Sequence, residues 1–252
     1  MSTPSQVPAL ARRLAALREP TMREAVLAEQ LGALSADDAA ALAGEIVRRA
    51  PSGRPYDVAL LALTAVLDRR PDGDRLGYQR RAEIYTAASG RGDVLLQRLL
   101  LSAQPPPDGA AALRPVPIPG REDITLGERK ALARSRRREL LDRILRDPDV
   151  SVLEILLGNP RLTEADVVRL AARRPTSAEA QRLVFRTVRF RSRYSVRRAL
   201  VLNPFTPSDL AAQLVGLLTE PDLRLVEEDA QLGDVVRAAA RAQRALVGEL
   251  RR

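Results

Sequence analysis

The chain has 252 residues, of which 45% are apolar and only 3% aromatic, with no Trp, Cys or His. Such a chain can bury one large core or two smaller ones of Ala, Leu and Val, a composition that suits helix-on-helix packing, while disulfides, thiolate or imidazole metal ligands, cysteine nucleophiles and the usual neutral-pH general base are excluded. Its net charge of +9 is uneven: residues 1–104 hold 14 basic and 12 acidic side chains, 105–205 hold 21 and 12, and 206–252 hold 6 and 8.

The first helix is expected over VPALARRLAALR (7–18), with Leu10, Leu14 and Leu17 on one face, and the second from about Met22 over MREAVLAEQLGAL. Ser35 has the position of an N-cap for ADDAAALAGEIVRRA, which Pro51-Ser-Gly53 ends. PYDVALLALTAVLDRR (55–70) is apolar nearly all round and belongs at the centre of this half. DRLGYQRRAEIYTAAS (74–89) and DVLLQRLLLSA (93–103) complete six amphipathic helices joined by short turns. The N-terminus has no uninterrupted apolar segment of signal-peptide type. The longest apolar run, Val58 to Leu67, is far shorter than the roughly 20 residues of a membrane span. The expectation is a cytoplasmic protein without integral membrane insertion.

From Gln104 to Asp123 the sequence QPPPDGAAALRPVPIPGRED carries six prolines, which forbid helix and favour an extended connector. A linker is therefore expected over 104–124, with an N-terminal helical domain over 1–103 before it. After the linker, Thr125-Leu-Gly-Glu128 has capping-box spacing and opens a basic helix with a break near Ser135.

LLGNPRLTEADVVRL (156–170) then has an echo in LVLNPFTPSDLAAQL (200–214), offset by 44 residues. It pairs Val152 with Val196, Leu156 with Leu200, Leu157 with Val201, Asn159 with Asn203, Pro160 with Pro204 and Leu170 with Leu214. In each copy an apolar helix is stopped by Asn-Pro, Asn taking a left-handed or turn conformation and Pro blocking the ladder; Thr163 or Ser208 then caps the next helix. A looser echo, DVVRLAAR (166–173) in DVVRAAAR (234–241), points to a related closing helix.

On these motifs, residues 125–252 resemble the helical repeats of bacterial HEAT-like and leucine-rich-repeat-variant proteins. The resemblance implies an all-α chain whose C-terminal part is an α-solenoid that binds a partner without chemistry of its own.

Two stretches carry the basic excess. Arg129, Lys130, Arg134, Arg136, Arg137 and Arg138 lie between Glu128 and Glu139 without an intervening acid. Arg182, Arg186, Arg189, Arg191, Arg193, Arg197 and Arg198 form a second acid-free run, interleaved with Phe185, Phe190 and Tyr194. As one helix the second run would make a stripe of Arg182, Arg186, Arg189, Arg193 and Arg197; with a turn near Arg191-Ser-Arg193, the arginines would surround a corner. Forty of the 41 basic residues are Arg, whose planar fork binds carboxylate or phosphate bidentately. A GC-rich genome is the alternative explanation of that ratio, and it would not explain the clustering.

For catalysis there remain Asp147 with Asp149, the run Glu227-Glu228-Asp229, and Lys130. The first pair has a capping role at a helix boundary, and no Gly-rich phosphate loop, nucleophile elbow or metal-ligand spacing occurs. The expectation is a non-catalytic scaffold without cofactor or metal, docking an acidic protein partner through the Arg-rich surface of 129–198. The alternative is non-sequence-specific nucleic-acid binding, with aromatics among the arginines available to stack bases.

Overall fold

The structure, a computed structural model, describes residues 3–68, 74–100, 107, 109, 112–114 and 124–250. Among them every regular element is helical. In chain order these are α1 (Thr3–Ala16), α2 (Pro20–Ala33), α3 (Ala36–Arg49), a short 3-10 turn (Ala50–Ser52), α4 (Tyr56–Leu67), α5 (Tyr78–Gly90) and α6 (Val94–Leu100). Then follow α7 (Leu126–Ala133), α8 (Arg138–Ile144), α9 (Val150–Leu157), α10 (Glu164–Ala172), α11 (Ala178–Arg186), α12 (Val188–Arg191) and α13 (Tyr194–Val201). The last three are α14 (Ser208–Val215), α15 (Glu220–Glu228) and α16 (Asp234–Leu250). No helix among the described residues is long and apolar enough to cross a membrane.

The chain divides into two compact units, Met1–Ala103 with Ser208–Arg252, and Gln104–Pro207. In the first, α4 is central, as its all-round apolar pattern requires: it packs on α1, α2, α3 and α14. Leu60 and Leu63 of α4 and, around it, Leu14, Leu27, Leu31, Ile46 and Ile84 are almost wholly buried. Ser35 caps α3, its hydroxyl accepting from the amide of Asp38 at 3.1 Å.

Residues from Ser208 onward belong to this first unit, which divides the single array expected over 125–252. The cause is where α14 and α16 bury their apolar faces. Both pack on α6 and on each other, buried Gln213 donates to the Leu99 carbonyl at 2.8 Å, and Gly216 leaves space that Leu60 occupies, where a β-carbon would stand 2.7 Å from Leu60 Cδ2. Most of the expected linker lies outside the described residues. Within it Gly109 is buried in the second unit, so close to the Thr176 backbone and the Phe205 ring that no larger residue fits.

The second unit holds the first copy of the echo and the second copy as far as Pro207. In it α7 packs on α9 and α10 packs on α13. All residues of the 44-residue echo in these helices are buried in both copies: Val152, Leu156 and Leu157 in α9, Val196, Leu200 and Val201 in α13. Leu170 and its counterpart Leu214 are buried as well. The looser echo does not hold this way. Val167, Leu170 and Ala171 of α10 are buried, whereas in α16 it is Val236, Ala239 and Ala240, one position out of register.

The two Asn-Pro corners are built alike: of the left-handed or turn conformation expected of Asn they take the turn, with the Leu162 and Thr206 amides donating to the Asn159 and Asn203 carbonyls, and no described residue other than Gly has a positive φ. What requires Asn is its amide. Asn159 is buried, and its Nδ2 donates to the carbonyls of Ala133 (2.8 Å) and Ser135 (2.9 Å) at the end of α7. Its Oδ1 accepts from the Arg161 amide at 2.9 Å. Asn203 repeats the set: Nδ2 to the carbonyls of Ala171 (2.7 Å) and Arg173 (2.9 Å) at the end of α10, and Oδ1 from the Phe205 amide at 3.0 Å. The last carbonyls of a helix have no intrahelical donor, so a buried amide facing them satisfies groups that burial would otherwise leave unpaired. Beyond the first corner, Thr163 and Asp166 form a capping box on α10, matching Thr125 and Glu128 on α7. Ser208, expected as a cap, is instead the first residue of α14.

Replacing Asn203 by Ala strands two carbonyls, one of them on buried Ala171. The expected cost is about 2–4 kcal/mol, seen as a lower urea midpoint with an unchanged slope. An unchanged midpoint would mean that the corner does not depend on the amide.

Candidate basic interface

The second unit carries 21 basic and 12 acidic residues, whereas the first carries 20 of each. How much of that excess remains available depends on what each guanidinium already holds. Much of it is used inside the fold.

The first group consists of arginines bound to carboxylates. Arg129 donates to buried Asp147 at 2.6 Å. Arg138, from α8, contacts both Asp142 (2.5 Å) and buried Asp166 (2.6 Å), and Arg169 bridges the same two acids. This four-membered cluster ties α8 to α10. The Arg138 guanidinium, aided by the Thr163 cap and Arg169, holds the Asp166 carboxyl well below the usual carboxylate range. Asp142 is lowered for the same reason, Arg138 first and Arg169 second. Arg186 pairs with Glu179 at 2.5 Å, and Arg193 lies 3.6 Å from Glu164.

The second group binds backbone carbonyls at helix ends. Arg189 reaches the carbonyls of Asn159 (3.3 Å) and Leu162 (3.0 Å). Arg197 donates to the carbonyls of Arg191 (3.4 Å) and Ser192 (2.6 Å) after α12. Outside the expected set, Arg173 caps the end of α8 through the carbonyls of Leu145 and Asp147, and Arg174 reaches that of Leu202 after α13. Burial lowers the pKa of Arg173. Arg191 is buried, and Arg182 and Arg198 are half-buried with partners in the fold.

Of the two expected geometries, the single stripe from Arg182 to Arg197 does not form: the chain leaves helical geometry at Thr187 and then, as the alternative expects, turns at Ser192-Arg193. The first break has no Gly or Pro to announce it. Nor do the aromatics offer a stacking surface: Phe185 and Phe190 are buried, and Tyr194 is half-buried with the Arg197 guanidinium over its ring.

What remains, besides exposed Arg146 after α8, is a short ridge. Arg134, Arg136 and Arg137 are exposed in the turn between α7 and α8. The Asn159 amide binds the Ser135 carbonyl of that turn, which joins it to the corner carrying exposed Arg161. Arg189, also exposed, lies over the same corner. Within the ridge Arg134 bonds only to the Lys130 carbonyl (3.2 Å), Arg137 lies 3.9 Å from Glu139, and among the described residues no partner is found for the guanidinium of Arg136 or Arg161. Lys130 flanks the ridge on α7 and is half-buried. Arg161 was missed in the sequence because it stands alone, 23 residues beyond the first cluster, and only the Asn159 contact brings it there.

Of the carboxylates considered for catalysis, all but exposed Glu228 are engaged elsewhere. Asp147 accepts from Arg129 and from the Asp149 amide, and Asp149 caps α9 through the Ser151 amide at 2.9 Å. Glu227 pairs with Arg244 at 2.5 Å, and Asp229 accepts from the Gln231 amide. A small apolar pocket in the first unit, walled by Leu60, Leu95, Leu99 and Val215 beside Arg98 and Gln243, has no carboxylate in its lining. Among the described residues no cluster of three or more potential metal ligands occurs. No protein-family model, curated protein or solved structure matches the chain.

The Asp166 cluster has a pH signature. A carboxyl whose pKa is depressed on folding contributes stability above its unfolded value, ordinarily 3.8, and that contribution is lost as pH falls through the folded value. Asp166→Asn should cost at least about 1 kcal/mol at neutral pH, the worth of a helix cap, and flatten the acid limb of stability below about pH 4. Urea midpoints measured across this range check both. An acid limb as steep as wild type would place the loss in other carboxylates.

Proposed function

We propose that the chain is a non-catalytic helical-repeat scaffold or adaptor of the HEAT-like kind, working in the cytoplasm, and that it docks an acidic protein partner through the basic ridge of its second unit. The observation that carries this reading is the contrast within one set of arginines. Most of them are committed to carboxylates or helix-end carbonyls, while Arg134, Arg136, Arg137 and Arg161 are exposed together at two turns that Asn159 joins. Exposed guanidinium groups held on ordered turns recognise carboxylates bidentately and lose little freedom on binding.

An acidic protein fits this surface better than a single-stranded nucleic acid. Binding of single strands relies on aromatic rings that stack successive bases, and here two of the three interleaved rings are buried and the third is half-covered by an arginine. The repeat reading of the second unit rests on the duplicated corner and on the matched packing of α7 with α9 and α10 with α13. Asp147, Asp149 and Glu227, three of the carboxylates considered for catalysis, serve as caps and ion-pair partners, which favours binding over chemistry.

Fluorescence anisotropy with labelled polyglutamate tests the proposal, using unlabelled single-stranded RNA and duplex DNA as competitors. Polyglutamate should bind at low salt, weaken as salt rises, and lose about tenfold in affinity, near 1.4 kcal/mol, in Arg136→Glu/Arg161→Glu. Lack of polyglutamate binding at low salt would overturn the reading. RNA or DNA binding that persists at physiological salt and vanishes in the same variant would replace it with nucleic-acid binding.

A further inference from the structure

Asn159 and Asn203 make the same three hydrogen bonds, but what they hold differs. The two arms fixed by Asn159 are the turn with Arg134, Arg136 and Arg137 and the corner with Arg161. Those fixed by Asn203 are the turn with Arg173 and Arg174 and the corner with Phe205. Arg173 and Arg174 are bonded to helix-end carbonyls, so the second corner has no cation to offer comparable to Arg136 or Arg161. The backbone carbonyl of Asn159 also accepts from Arg189, which braces the first corner but, like Arg173 and Arg174, is committed to carbonyls.

We infer that Asn159 is the positioning residue of the anion-binding ridge: its one buried amide holds two separately encoded groups of arginines at the spacing an acidic partner meets. This inference rests on the ridge being the docking surface. Asn159 itself is 4% exposed and carries no charge, so it acts through the turns it holds and not by touching the partner. Without its two donor bonds, the 134–137 turn and the 159–161 corner would be joined only through the packing of α7 and α8 on α9, and each binding event would have to fix their spacing.

The physical consequence is a kinetic split. Encounter with an acidic partner depends on net charge, which Asn159→Ala leaves unchanged, so the association rate should stay within about twofold of wild type. The lifetime of the complex depends on how many guanidinium groups are in place at once, so the dissociation rate should rise by about tenfold. Asn203→Ala is the internal control. It removes an identical set of bonds at a comparable cost in stability, and it should leave both rates near wild type.

The experiment is surface plasmon resonance of the full chain over immobilised polyglutamate, comparing wild type, Asn159→Ala and Asn203→Ala, with each variant's folding checked by circular dichroism. Faster dissociation in Asn159→Ala alone supports the inference. Equal effects of the two variants, or a wild-type dissociation rate in Asn159→Ala, would overturn it and leave Asn159 a structural residue only. If Asn159→Ala does not fold, Asn159→Ser, which keeps one donor, takes its place and is read against Asn203→Ser by the same two criteria. Failure of wild type to bind would remove the ridge reading itself, together with the inference; that result is distinct, because it appears before any variant is compared.

Discussion

Short helices leave a large share of their backbone unpaired, and this fold depends on how those groups are satisfied. The helices of the second unit have four to nine residues each, while each helix end leaves up to four carbonyls without an intrahelical donor. Two devices meet that need: a buried Asn amide at each Asn-Pro corner and an arginine fork laid across the carbonyls of another helix end. In the first unit Arg23 reaches the Leu17 carbonyl after α1, Arg80 those of Leu31 and Leu34 at the end of α2, and Arg81 those of Leu67 and Leu76. A guanidinium can serve several carbonyls in one plane and also offsets the negative end of the helix dipole. The preference for Arg over Lys thus has a structural use in this chain beyond base composition.

The same chemistry decides where function can reside. A guanidinium that caps a helix end or closes a carboxylate pair is no longer a recognition group, so the net charge of a region overstates its binding surface. After those commitments the excess of the second unit narrows to Arg146 and a few exposed arginines at the first Asn-Pro corner. Asn159 is common to both levels, since it satisfies the end of α7 and by the same bonds fixes the turn that carries the ridge.

Helix positions were legible because they depend on local signals. The periodic Leu and Ala positions, the Ser35 cap and the Thr125 capping box produce α1 to α7 nearly as the sequence pattern indicates. The break at Ser135 and the 44-residue echo were visible for the same reason, and the echo's apolar pairs are all buried. Long-range partnerships were not legible. Nothing local to Arg189 or Arg173 marks a carbonyl nearly 30 residues away as its partner, and nothing local to Ser208 shows that α14 packs on α4 and α6 rather than continuing the array. The Asn of each corner was identified, but its conformational tolerance was credited with what its amide donors do. A hint was available in the pairing of Asn with Pro, where the side-chain oxygen turns the chain and the nitrogen is left facing whatever helix end lies beside it.

The most direct measurement is solvent exchange of the Asn159 and Asn203 side-chain amide protons by nuclear magnetic resonance, with the signals assigned through the corresponding Ala variants. Two donor bonds to carbonyls at each buried site should make both amide pairs exchange far more slowly than those of exposed side chains. Exchange of either pair at the rate of a solvent-exposed Asn would show that the amide does not hold the helix end, and the corner would then need another explanation.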